Sequence, residues 1–131
     1  MSDAGPDSSN SSGDDASSLL VASNRVDGIR LYSRDGEHLG SIYSLMLNKR
    51  TGAATYAVLA LGGFLGMGKS YYPLPFELLT YDGANDHYVV TIDKRVLEGG
   101  PSWASNAPVF NQAYADRVAN YYGRPTVNLT I

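Results

Sequence analysis

The chain has no cysteine, two histidines and one tryptophan among 131 residues. Without thiols there can be no disulfide staples and no thiolate metal centre. His38 and His87 lie far apart, with no close run of His, Asp and Glu that would suggest a metal-binding or catalytic set. No apolar run approaches the roughly eighteen residues of a membrane-spanning helix. Met1-Ser-Asp-Ala carries neither the basic nor the apolar region of a secretory signal. These absences predict a cytoplasmic protein without membrane insertion. There is also no surplus of positive charge, since ten Lys and Arg face thirteen Asp and Glu.

The acidic excess sits at one end. Residues 1–18 hold seven serines and four aspartates, with no aromatic, branched aliphatic or basic residue. Such a segment cannot bury enough apolar surface to offset its ordering entropy, which predicts a disordered acidic tail. Without those aspartates, ten basic residues face nine acidic ones, so residues 19–131 are nearly neutral. Near-neutrality argues against nucleic acid as a partner, although Arg25, Arg30, Arg34, Lys49-Arg50 and Lys94-Arg95 form small basic groups.

From Leu19 onward, short apolar runs alternate with turn residues. Ile29–Tyr32 predicts a strand, closed by Asp35-Gly36. His38–Asn48 predicts a second, with Tyr43, Leu45 and Leu47 on one face and Ile42, Ser44 and Met46 on the other. Thr51-Gly52 turns the chain into Ala53–Leu61. Further strands are predicted at Ser70–Leu74, Thr80–Asp82 and His87–Ile92, with a single helical turn at Pro75–Leu79. Six strands in about 65 residues predict an all-β class, a small antiparallel six-stranded barrel. Asp93 is placed to cap a short helix, Lys94–Glu98, which Gly99-Gly100-Pro101 ends.

Gly63-Phe-Leu-Gly-Met-Gly-Lys69-Ser70 fits G-x-x-x-x-G-K-[ST], the loop that cradles phosphates in nucleotide hydrolases. That loop needs a helix leaving it, so that helix amides face the phosphates. Here Tyr71-Tyr72-Pro73-Leu74-Pro75 follows, and two close prolines oppose a helix. The pattern is therefore expected to be a glycine-rich connection between strands.

After residue 100 the period changes. Tyr114, Val118, Tyr121 and Tyr122 recur at three- and four-residue spacing within 111–122, and Gly123 and Pro125 stop the pattern. This predicts an amphipathic helix too short to stand alone in water. Its apolar stripe must dock on the barrel or on a partner subunit. The expected organisation is a tail at 1–18, a barrel domain at 19–100 and a C-terminal extension at 101–131.

Four motifs follow in order: Asp35-Gly36-Glu37-x-Leu39-Gly40-Ser41-Ile42, Thr51-Gly52 before Tyr56-x-Val58, Leu61-Gly62-Gly63-Phe64, and Leu74-Pro75-Phe76-x-x-Leu79. Together they resemble the PRC-barrel domain family. That fold is shared by the cytoplasmic domain of the photosynthetic reaction centre H subunit and the C-terminal half of the ribosome maturation factor RimM. The resemblance implies structural roles for Asp35, Gly36, Gly40, Gly52, Gly62, Gly63, Pro75 and Phe76. It also implies a non-catalytic adaptor without cofactors that binds an unidentified protein partner. A ribosome- or RNA-associated factor and an accessory to photosynthetic reaction centres are the alternatives. The surplus of apolar side chains beyond a barrel interior predicts a homodimer. Phe64, Leu65, Met67 and the stripe Tyr114, Val118, Tyr121 and Tyr122 are the candidate contacts.

Overall fold

The structure, a computed structural model, describes residues 18–62 and 68–130. The predicted tail, apart from Ser18, lies outside the described residues. So do Gly63, Phe64, Leu65 and Met67.

Six strands form one sheet: β1 (Arg30–Tyr32), β2 (His38–Leu47), β3 (Ala54–Gly62), β4 (Lys69–Pro75), β5 (Leu79–Asp82) and β6 (His87–Val90). Their order is β4-β3-β2-β1-β6-β5, and the sheet is mixed and strongly curled into a half-barrel. The expected purely antiparallel barrel is thus corrected at one seam, where β1 and β6 run parallel through Leu31 opposite Tyr88 and Tyr32 opposite Val89. The cause is the link after β4. β1 to β4 reverse at each connection, but Phe76–Leu78 forms a three-residue 3-10 turn through which β4 continues into β5 without reversing. The β5–β6 hairpin then turns β6 into the direction of β1. Three residues of 3-10 helix span only about 6 Å. The end of β4 and the start of β5, at opposite edges of the sheet, are therefore drawn together, and this curls it.

Alternation along β2 is interrupted as well. Ile42 pairs with Leu59 but Ser44 pairs with Val58, so Tyr43 is an extra residue on β2. A bulge of this kind shifts every side chain beyond it by one position. Leu45 accordingly packs with Ile42 against the core rather than sharing the outer face of Tyr43, and a second register shift follows between Met46 and Leu47. Tyr43 and Leu47 stay half-exposed outside.

The core inside the curl is aliphatic, built from Val26, Leu31, Ile42, Ala57, Leu59, Leu74, Leu79, Val90 and Leu97. Gly40 lets two strands meet there: a Cβ at this position would fall 2.1 Å from the Ala60 carbonyl oxygen. Pro73 and Pro75 are buried in β4, which is tolerated because β4 is an edge strand whose outer side, among the described residues, bonds only at Tyr71, to Trp103. The turn after β1 is held by Ser33, whose buried hydroxyl accepts from the amides of Asp35 and Glu37 at 3.2 and 3.1 Å. Gly36 takes φ 87° there.

Two helices complete the fold. α1 (Lys94–Glu98) starts at Asp93, whose carboxylate accepts from the Arg95 amide at 2.8 Å. α2 (Gln112–Tyr121) starts at Asn111, whose side chain accepts from the Tyr114 amide at 3.0 Å. The Asp93 cap lies where the sequence places it, and Asn111, expected as the first residue of the second helix, is its cap. α2 packs on the outer face of the sheet, where Ala115 and Val118 bury against Tyr56 of β3. β3 is therefore covered on both sides, and Tyr56–Ala60 are five consecutive buried residues.

Candidate interaction surface

The second core, between sheet and α2, is open at one end. Tyr56, Ala115 and Val118 are buried, and Met46, Phe110, Tyr114, Tyr122 and Leu129 pack around them only in part. At the open end lies a cleft of about 590 Å³, floored by Met46, Tyr56, Phe110 and Leu129. Its size falls in the range of ligand pockets.

One wall is the β2–β3 turn. Asn48 fixes it by accepting from the amides of Arg50 and Thr51 at 2.8 and 3.1 Å, while the Gly52 amide returns to the Asn48 carbonyl at 2.7 Å. The short loop leaves Lys49 and Arg50 exposed on the rim. Among the described residues, neither has a carboxylate within ion-pair distance.

The opposite wall is the segment after α2. Gln112 holds it with its side-chain amide, donating to the Val127 carbonyl and accepting from the Leu129 amide, both at 2.7 Å. This two-point clamp mimics a strand partner and aims Leu129 at the cleft floor. The same amide also donates to Asp116 at 2.8 Å, tying the clamp to the helix. Nothing local marks Gln112 or Leu129 in the sequence, because their partners are fifteen and seventeen residues apart. The lining holds no Asp, Glu, His or Cys. It offers apolar contact, hydrogen bonding and two cations, and so suits binding rather than proton or metal chemistry.

The predicted contact stripe on α2 is divided. Val118 is fully buried against the chain's own sheet, and Tyr122 packs into both cores. Tyr114 is half-buried against Phe110 at 5.0 Å between ring centres. Tyr121 is the most open member, and its hydroxyl donates to the Val96 carbonyl at 2.7 Å. Most of the stripe is thus covered from within the chain. The tyrosine hydroxyls of Tyr56, Tyr114 and Tyr122 are all pushed above the ordinary value, chiefly by burial.

Lys69 and Ser70 of the phosphate-loop pattern open a strand, β4, and no helix follows. The nucleotide-loop geometry is therefore absent at its decisive point. The histidines, remote in sequence, meet: Tyr32 lies between His38 and His87 with ring centres 5.2 and 4.2 Å apart. The β1–β2 hairpin sets His38 beside Tyr32, and the parallel β1–β6 seam, which no local pattern could reveal, adds His87. His87 also places Nε2 3.4 Å from an Asp82 carboxylate oxygen. The Asn85 side chain, donating at 2.9 Å, holds that carboxyl below the usual carboxylate value. No group of three or more His, Cys, Asp or Glu that could hold a metal occurs among the described residues. Asp35 makes no side-chain hydrogen bond among them, and Glu37 instead pairs with Lys94 at 2.7 Å. Phe76 is half-buried against the first core and meets Tyr88 edge-on at 5.9 Å.

The outer face of the sheet carries one more apolar tract. Tyr43 packs on Tyr71 at 4.8 Å, and Tyr71 stacks on Trp103 at 5.9 Å. Two backbone hydrogen bonds between Tyr71 and Trp103 pin the second pair. No helix among the described residues is long and apolar enough to cross a membrane.

A protein-family model described as the PRC-barrel domain matches residues 20–97, more than half of the chain. That span covers β1 to β6 and most of α1, and it stops before α2 and the far wall of the cleft. No curated protein matches the chain.

Proposed function

Because this chain belongs to the PRC-barrel family, we propose that it works as a small, non-catalytic protein-interaction module that assembles as a homodimer. The observation carrying this reading is the cleft at the open end of the second core, an apolar floor with a purely cationic and polar rim. Tyr43, Leu47, Tyr71 and Trp103 extend partly exposed apolar surface away from it along the outer face. Aromatic anchors beside a water-excluding hollow are the usual centre of a protein contact. The alternatives to this reading are an RNA- or ribosome-associated factor and an accessory at photosynthetic reaction centres, each requiring its own partner.

Photo-crosslinking from Leu47 and from Thr80, which is exposed on the edge strand β5, tests it in cells. The expected result is a protein adduct from Leu47 and little from Thr80. Nucleic acid in the Leu47 adduct, or equal capture at both positions, would overturn the reading.

A further inference from the structure

The segment leading into the first core bears apolar side chains that stand largely in solvent. Leu19 and Leu20 are 86% and 83% exposed, and Val21 is 47% exposed. Consecutive aliphatic residues in water call for a partner. Four residues before Leu19, the sequence has Asp14-Asp15. The arm therefore reads acidic, then polar, then apolar. The cleft offers the complement: Lys49 and Arg50 on its rim, and a floor of Met46, Tyr56, Phe110 and Leu129.

The two features lie close together on the molecule. Ser23 and Asn24, at the base of the arm, line a shallow groove whose other wall includes Leu47, and Leu47 also lines the cleft. Arm and cleft thus border the same exposed face of β2. A two-fold contact across that face would lay each arm over the other copy's cleft, since residues 19–21 reach about 10 Å when extended. Such a contact is self-complementary, as a closed dimer requires.

From this complementarity we infer that two copies of the chain exchange N-terminal arms. Leu19-Leu20-Val21 of one copy fills the apolar cleft of the other, and the acidic charge that precedes them in the sequence complements Lys49 and Arg50. The inference rests on the reading of the cleft as a contact surface and names its occupant as a second copy. Exchange also accounts for the exposure of both leucines in a single chain, whose own cleft lies nearby and unfilled by them.

Sedimentation velocity on the full chain and two variants tests it. Leu19→Asp/Leu20→Asp alters the arm, and Lys49→Glu/Arg50→Glu alters the rim. All four positions are exposed, so both variants should melt as the wild type does. The wild type should run at twice 14.1 kDa. Each variant should raise the dimer dissociation constant at least about tenfold, the effect of losing one buried leucine or its equivalent. An equimolar mixture of the two variants should associate more tightly than either alone, because a sound arm then meets a sound cleft once per pair. A wild-type dimer that neither variant weakens would overturn arm exchange while the dimer stands. A wild-type monomer would overturn both, and one destabilised by the arm variant would place the arm in its own cleft.

Discussion

The two hydrophobic cores of this protein are made of different material. The buried residues of the core inside the curled sheet are all aliphatic, with Tyr72, Phe76, Tyr88 and Tyr122 only at its margin, and Leu31, Leu59, Leu74 and Leu97 have no exposed surface. The core beneath α2 is built around Tyr56, Phe110, Tyr114 and Tyr122, and one end of it opens into the cleft. Aliphatic residues with few polar atoms suit a volume from which water is excluded on all sides. Tyrosine suits a boundary, since its ring buries while its hydroxyl needs a partner. The first core holds the fold, and the second attaches an extension and leaves part of itself available. The family match divides the molecule in the same place, covering the strands that build the first core but ending before α2.

The largest expected effect probes the closed core. Leu59→Ala removes a side chain with no exposed surface from the centre of the sheet. It should cost about 3–5 kcal/mol in chemical denaturation. A cost below about 1 kcal/mol would mean that the first core is loosely packed and that the contrast between the two is false.

Alkali should separate the cores by chemistry. Tyr56, Tyr114 and Tyr122, in the second core, all have hydroxyls whose ionisation burial opposes. Their folded values lie above the unfolded value of about 10. The stability they contribute is complete below pH 10 and is lost as pH rises toward and through the folded values. Beside the first core, burial raises Tyr88, and Tyr122 at the border of both cores. Hydrogen exchange at high pH should therefore release α2 amides before those of β2 and β3. Simultaneous release would join the two cores into one cooperative unit. At the acid end the sign reverses. Asp82 has a lowered value in the fold, so its small contribution persists above the usual carboxylate range and disappears as pH falls through its folded value.

A smaller effect probes the tie between sheet and helix. The Tyr56 hydroxyl donates to the Ala115 carbonyl at 3.3 Å, a long bond within the buried part of the second core. Tyr56→Phe keeps the ring and should cost about 0.5–1.5 kcal/mol, with α2 fraying first. No change in stability would show that packing alone docks the helix.

Local signals account for what the sequence made legible. Both helix starts follow from Asp93 and Asn111, because a cap acts within three residues. The hairpin at Thr51-Gly52 and the 3-10 turn after Pro75 are local too. What depended on distant pairing stayed hidden. The direction of β6 is decided by the non-reversing link at Phe76–Leu78, and nothing in His87–Val90 encodes it. That seam also brings His87 to Tyr32. The bulge at Tyr43 defeated a strict two-residue alternation, so Leu45 was expected on the wrong face. In the candidate site, the α2 stripe was legible from its period. The cleft was not, because Gln112 builds its far wall through bonds to Val127 and Leu129 that have no sequence signature.

The smallest effect has the opposite sign. Tyr122 sits where the two cores touch, and its hydroxyl is buried with no hydrogen-bond partner among the described residues. Gly100 makes the space, since a Cβ there would lie 2.6 Å from that oxygen. An unpaired buried hydroxyl has lost its water and gained nothing in return. Tyr122→Phe should therefore stabilise the protein, by up to about 1 kcal/mol, or roughly 4 °C in Tm for a domain of this size. It should also reduce the alkaline loss, because one of the three tyrosines responsible is gone. Gly100→Ala should be destabilising in the wild type and less so beside Phe at 122. The Tyr121 ring, 3.0 Å from the same Cβ position, keeps the relief partial. If Tyr122→Phe instead lowers Tm, the hydroxyl has a partner in solution. The boundary between the two cores would then be polar and hydrated rather than dry.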